Sequence, residues 1–523
     1  MRRSCLLLII LSLLISVPLW ASNCAGTSVG FVPLNDLGAG VYHGYQGGLY
    51  AGGSNAPPPA HFSAGLHEAM QITKLNSSGN PDPAGKIVLI SIGMSNTTQE
   101  FSFFKPIADA DPRKNPDLVI VDCAQGGKTA PIWADPANAV WTTADQRLQA
   151  AGVSPNQVQV VWSKQAISGP NKAFPADAQE LQGYLKTIAQ NVKAHYPNAR
   201  IIYHSSRIYA GYASTTLNPE PYAYQAGFSM KWVIQEQIDG LAALNFDPAK
   251  GTVRAPWLGW GPYLWADGLN PRSDGLTYVC ADFNTSDGTH PATGARQKVT
   301  NLLLGFLKND KTAAPWFTRD AYQPSSVSQS KLSADGNAVA LTAMAVTMGS
   351  GVEPGAIYVE DTNRSCGIRV VTGATVAEGS FVNVTGVLQT SSDGERYLDA
   401  SKVALATEGT FPDPVALTNR ELGGGDAGVP PLGQKGVAAS SLNNVGLLVT
   451  TWGRVTPINA STFSIDDGSA VGVRVTVPAV VSVPSRDAYV KVTGISSLWK
   501  DTGGNLHRLI KVRRQTDITV IQP

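Results

Sequence analysis

Charge is what this sequence has least of. Charged residues make up 15% of 523, and 40 Lys and Arg stand against 39 Asp and Glu. With no basic surplus to neutralise phosphates, nucleic-acid binding driven by counterion release is excluded. A near-zero net charge with 43% hydrophobic residues also excludes a disordered chain. No collagen or heptad period occurs. Beyond the N-terminus no run of ~20 apolar residues exists, so no membrane span is expected in the mature chain. Histidine is scarce too, at 7. His43, His61 and His67 fall close together, but their spacing matches no common metal site. Neither a metal nor a cofactor is expected.

There are five cysteines. Cys24, Cys123, Cys280 and Cys366 lie far apart, with no metal-ligand spacing. Cys123 with Cys280 is the disulfide to test first, against isolated buried thiols.

At the N-terminus, Arg2 and Arg3 precede an apolar run over 5–17, then Pro18 and small residues over 21–25. This is the pattern of a signal peptide, read here as residues 1–21. A secreted or periplasmic protein is expected. The length suggests roughly three domains at ~150 residues each.

Residues 22–84 read as an irregular lead-in, of which 41–67 is expected to pack near the mouth of the site with Tyr and Gln side chains available to substrate. From 85 to 318 strand-like and helix-like runs alternate. Short apolar, β-branched runs at 86–92, 117–123, 157–162 and 200–205 suit buried parallel strands, with a fifth candidate at 257–264. Leu181, Tyr184, Leu185, Ile188 and Val192 share one helix face, as do Val299, Leu302, Leu303, Phe306 and Leu307. Pro291 suits the first turn of that last helix. Alternating segments argue for an α/β sheet covered on both faces.

After about residue 320 helical periodicity stops and an internal repeat appears. Segments 357–361, 367–370 and 381–386 match 463–467, 472–475 and 489–494; thus Val384-Thr385-Gly386 corresponds to Val492-Thr493-Gly494. Two all-β domains are expected, 330–411 and 441–523, joined by a Pro/Gly-rich linker over 412–440. Their texture resembles the OB-fold barrel, with a β-sandwich pair as the alternative. Cell-surface or glycan contact through these domains is open.

The chemistry gathers in the α/β part. Ser95 directly follows the first strong strand, where α/β sheets place their sites. Asp287-Gly288-Thr289-His290 puts a base and its orienting carboxylate on one turn. Between them, Gly126 and Gly127 follow the second strand.

Taken in order, these blocks resemble the SGNH hydrolases, also called GDSL-type esterases and lipases. The resemblance covers about 85–308. It implies a three-layer α/β/α fold with a five-stranded parallel sheet. It also implies Ser95 as nucleophile, Asp287 and His290 completing the triad, and an oxyanion hole from Ser95, Gly127 (or Gly126) and Gln165. The family's third-block Asn is missing here, and Gln165 takes its place with Lys164 as competing donor. The implied activity is ester hydrolysis through an acyl-enzyme, on a small-molecule or polysaccharide ester. Trp133, Trp141, Trp162, Trp257, Trp260 and Trp265 read as sugar-stacking surfaces or as core, and a carbohydrate acetylesterase is the favoured form. The alternative is an inactive surface or glycan-binding protein whose β-domains carry the function.

Overall fold

A computed structural model describes residues 21–319, 326–406, 409–428, 433–437, 439 and 441–522. The expected signal peptide lies outside the described residues except for Ala21.

Five runs form one all-parallel sheet: β1 (Ile87–Gly93), β2 (Leu118–Asp122), β3 (Val158–Lys164), β4 (Ile201–His204) and β5 (Trp257–Trp260). The order is β2-β1-β3-β4-β5. Every residue of β1, β3, β4 and β5 is buried. That burial explains why these strands read as continuous apolar runs without alternation. Helices α1 (Pro59–Gln71), α2 (Ser95–Asp109), α3 (Ala139–Ala150), α4 (Ala176–His195), α5 (Tyr222–Ile238) and α6 (Thr293–Asn309) connect and cover the strands. α2 packs with α6, and α4 with α5. The three-layer α/β expectation holds. The direction of winding reverses between β1 and β3, and such a switch point opens a crevice at the carboxyl ends of the strands.

Three local readings need correction. The lead-in is not irregular throughout, because it carries α1, with Pro59 at its first position and His61, Gly65, Leu66, Ala69 and Met70 buried. Pro291 precedes α6 instead of entering its first turn, and bridges to Phe283. Cys280 pairs with Cys24, their Cα atoms 5.3 Å apart, and not with Cys123. Cys123 directly follows β2, fully buried beside the Ala144 carbonyl of α3.

The C-terminal part holds two five-stranded rings. The first is β6 (Ala338–Glu353), β7 (Ala356–Glu360), β8 (Gly367–Val371), β9 (Phe381–Thr390) and β10 (Arg396–Leu405). The second is β11 (Leu448–Asn459), β12 (Thr462–Asp466), β13 (Val473–Thr476), β14 (Tyr489–Lys500) and β15 (Leu506–Lys511), with Ile518–Gln522 added along β14. Each ring pairs its first strand to its second and fourth, its fifth to its fourth, and its third parallel to its fifth. Closure of both rings favours barrels over a sandwich. The sequence repeat falls on the second, third and fourth strand of each. Within 412–440, Val415–Ala416 pairs parallel with β11, and Leu422 is buried in the second core.

Candidate active site

Ser95 is the first residue of α2, immediately beyond β1. The turn into the helix needs Gly93, whose φ is +151°. A Cβ there would meet the Lys164 carbonyl at 2.2 Å and the Thr97 hydroxyl at 2.4 Å. Thr97 then donates its hydroxyl to that same carbonyl at 2.8 Å, fixing the helix start to β3. The Gly93 carbonyl accepts from the Gln125 amide at 3.0 Å and from Trp133 Nε1 at 3.1 Å. The first amides of a helix have no intrahelical acceptor, so they face whatever sits beside Ser95.

Asp287 and His290 come from the turn before α6. Gly288, at φ +60°, is obligatory in that turn, since a Cβ would strike the Tyr212 carbonyl at 1.8 Å. His290 Nε2 lies 2.9 Å from Ser95 Oγ, and Nδ1 lies 2.7 Å from Asp287 Oδ2. Asp287 Oδ1 accepts from the Thr289 amide at 2.8 Å and the His290 amide at 3.0 Å. Burial alone would raise the Asp287 pKa, but the His290 amide, the imidazole and the Thr289 amide outweigh it and hold the carboxyl below its usual range. Asp287 is therefore an anion that fixes the ring with Nδ1 protonated and Nε2 free to accept.

A residue absent from the sequence reading locks the two halves together. Asn96 Nδ2 donates to the Thr289 carbonyl at 3.0 Å. Thr289 Oγ1 bonds Thr215 Oγ1 at 2.7 Å, and the Ser214 amide donates to the Asp287 carbonyl at 2.9 Å. An Asn next to the candidate nucleophile was the available signal.

Ser95 and His290 open into a pocket of about 290 Å³. Met94, Ala166, Ile167 and Leu217 give it apolar walls, and Thr129, Ser168, Asn218 and Thr289 add hydroxyl and amide groups. Gly127, at φ +73°, lines it; Gly126 does not. The lead-in contributes none of its lining residues, contrary to expectation. Residues 35–62 border a separate cavity with Trp260 and Tyr263.

The third oxyanion donor does not appear where the resemblance placed it. Gln165 is fully buried, does not line the pocket, and has neither amide atom partnered among the described residues. Lys164 is equally buried and its ammonium is held by both oxygens of Glu100, 2.5 Å from Oε2. Burial pulls its pKa down while the Glu100 carboxylate opposes. Glu100 sits on the buried face of α2 with Asn96, Thr97, Phe101 and Phe104. A charge on an apolar helix face was its sequence signal.

The tryptophans are core. Trp133, Trp141, Trp162 and Trp265 are fully buried, Trp257 and Trp260 nearly so, and none lines the pocket. Their indole N–H groups go to the protein: Trp162 to Ser205 Oγ at 3.0 Å, Trp265 to Glu220 at 2.8 Å. His61 is likewise structural, its Nε2 2.9 Å from the Leu258 carbonyl and its ring stacked on Trp257.

No protein family and no curated protein matches the chain. Solved structures do. The YxiM protein of Bacillus subtilis is 12% identical over 44% of this chain and 58% of its own, with a TM-score of 0.25. The periplasmic domain of a lipopolysaccharide acetyltransferase of Salmonella ser. Paratyphi A is 15% identical over 47% of this chain and 94% of its own, with a TM-score of 0.24. The chain thus spans less than two thirds of the first of these. Likeness at this level assigns neither a family nor an activity.

Proposed function

We propose that the chain is a secreted or periplasmic serine ester hydrolase that removes acetyl or other short acyl groups from a carbohydrate. The observation that carries the reading is the unbroken path from Ser95 Oγ through His290 to Asp287, at 2.9 and 2.7 Å. Such a path is what a hydroxyl needs to become a nucleophile. His290 Nε2 takes the Ser95 proton as Oγ attacks the ester carbonyl, and Asp287 stabilises the imidazolium that forms. The amides of Ser95 and Gly127 receive the oxyanion. The imidazolium then protonates the leaving alcohol, and water, deprotonated by His290, releases the acid from the acyl-enzyme. The modest pocket with apolar walls suits a short acyl group. Exposed Trp452 and Tyr489 share a face of the second barrel, and rings of this kind offer a sugar a stacking surface. The disulfide from Cys24 to Cys280 supports an oxidising compartment.

The test is labelling with a fluorophosphonate probe alongside hydrolysis of phenyl acetate and of acetylated glycans. Labelling should require both Ser95 and His290, and Ser95→Ala should lower kcat by about 10⁴-fold or more. Activity surviving in Ser95→Ala would remove the nucleophile. Absence of labelling in folded wild-type protein would leave a binding protein on a hydrolase-like fold. Preference for long acyl chains would remove the carbohydrate form.

A further inference from the structure

We propose that the Ser95 pocket recognises a carboxylate on its substrate through the guanidinium of Arg207. The inference rests on the esterase reading above and names the substrate class within it. Arg207 lies just beyond β4, is 2% exposed, and lines the same pocket as Ser95 and His290. Its Nε donates to Asn218 Oδ1 at 3.2 Å, and Asn218 Nδ2 donates in turn to the Ile167 carbonyl at 3.2 Å. The plane of the guanidinium is thereby fixed by a side chain tied to the loop after β3. Nη1 is buried and has no acceptor among the described residues. A charged donor kept dry and unpaired is costly to the fold, and a ligand acceptor removes that cost.

The neighbouring ions do not supply the acceptor. Glu100 is engaged by Lys164. Glu220 already accepts from Trp265 Nε1 and from the amides of Ala210 and Tyr224, at 2.8 to 3.0 Å. Burial lowers the Arg207 pKa, and these two carboxylates oppose it only from a distance. Neither forms an ion pair with it among the described residues. A planar carboxylate is the partner whose geometry a guanidinium matches.

Topology argues against an oxyanion role. Gly127 follows β2 and Ser95 follows β1, whereas Arg207 follows β4. At ~4.8 Å per strand, β4 lies roughly 10 Å from β1. Oxyanion donors must approach within about 3 Å of the reacting oxygen. In this proposal Arg207 reads a part of the substrate displaced from the scissile carbonyl. That part belongs either to the alcohol, as in an O-acylated sugar acid, or to the far end of a dicarboxylic acyl group.

The experiment compares 3-acetoxybenzoate with its neutral methyl ester for the alcohol side, and monophenyl adipate with phenyl hexanoate for the acyl side. Wild-type protein should favour one charged member through KM, and which pair responds locates the carboxylate. Arg207→Met should raise that KM about 10- to 150-fold, the worth of a hydrogen bond to a charged group. Its kcat/KM on the neutral member of that pair should fall by a clearly smaller factor than on the charged member, and Arg207→Lys should restore part of the preference. Equal losses on charged and neutral esters, or no charge preference in wild-type protein, would overturn the proposal while leaving the esterase reading intact. Should no ester be hydrolysed, calorimetric binding of 3-hydroxybenzoate against its methyl ester decides alone. Carboxylate-dependent binding lost in Arg207→Met supports the site, and indifference to the carboxylate refutes it.

Discussion

Replacing Lys164 by methionine removes the ammonium that Glu100 faces and leaves a carboxylate with no other donor among the described residues. Both side chains are 0% exposed, so water cannot take the place of the lost partner. At the 2.5 Å contact and an effective dielectric of ~20, Coulomb's law gives about 7 kcal/mol of attraction. Desolvation of two ions consumes several kcal/mol each, so the intact pair adds little net stability. Breaking it is another matter. An uncompensated buried charge costs about 3 to 5 kcal/mol, a third or more of the 5 to 15 kcal/mol that holds a typical domain together. Lys164→Met and Glu100→Leu should each lower stability by that amount, and the double variant should return to within ~1 kcal/mol of wild type or exceed it. Urea unfolding at pH 7, followed by tryptophan fluorescence, isolates the right domain. Eight of the eleven tryptophans lie between residues 85 and 318, and none lies in the first barrel. Single losses under ~1 kcal/mol, or losses that simply add in the double variant, would refute the reasoning. Lys164 would then be free for chemistry, as the sequence alone allowed.

Acid should act through two buried histidines. Among the described residues His204 has neither ring nitrogen partnered, and its pKa is lowered by burial to about 3; His61, also lowered by burial, lies at about 4. Both folded values fall below the unfolded 6.5, so the unfolded chain binds protons that the fold refuses. Stability is full above pH ~6.5 and is lost on acidification toward pH 4, at up to about 1.4 kcal/mol per pH unit for each group. Glu360, raised by burial to about 7, and Glu220, raised to about 6, gain stability over the same range, so the His204 share is read as a difference. Between pH 6.5 and 4 the urea midpoint of His204→Phe should fall less steeply than that of wild type, and parallel profiles would rule His204 out. The Cys24–Cys280 disulfide closes a separation of 256 residues. Chain entropy alone puts its loss at about 5.5 kcal/mol. Peptide mapping without reduction should recover Cys24 linked to Cys280, and a linked peptide containing Cys123 would contradict the fold.

The parallel sheet was legible because burial on both faces writes itself as unbroken apolar runs, and four such runs fall within a residue or two of β1 to β4. The barrels were legible as a repeat, yet barrel and sandwich stayed open because alternation says which face is buried and not whether the sheet closes. Helix α1 carries its own signature, Pro59 at the first position and apolar residues at 65, 66, 69 and 70. A reading drawn to the histidines passes over it. The disulfide was not legible, since cysteines hundreds of residues apart carry no spacing information.

The site divides along the same physical line. Ser95, Asp287 and His290 sit in turns whose local geometry demands particular residues: glycine at 93 and 288, a carboxylate three positions before the base. Local demands leave local traces. Glu100, Lys164, Arg207 and Asn218 come from four separate segments, and each partner becomes defined only when β1, β3 and β4 stand side by side. In the sequence Lys164 is a cation at a strand end, indistinguishable from an oxyanion donor. In the fold its charge is matched by Glu100, and Arg207, which lines the pocket, has no contacting carboxylate among the described residues. At the end of β3, where the sequence resemblance led to an amide donor, the fold holds a buried ion pair that does not line the pocket, and Arg207 is the arginine that does. A substrate carboxylate paired with Arg207 would set its ester beside Ser95 in one binding event.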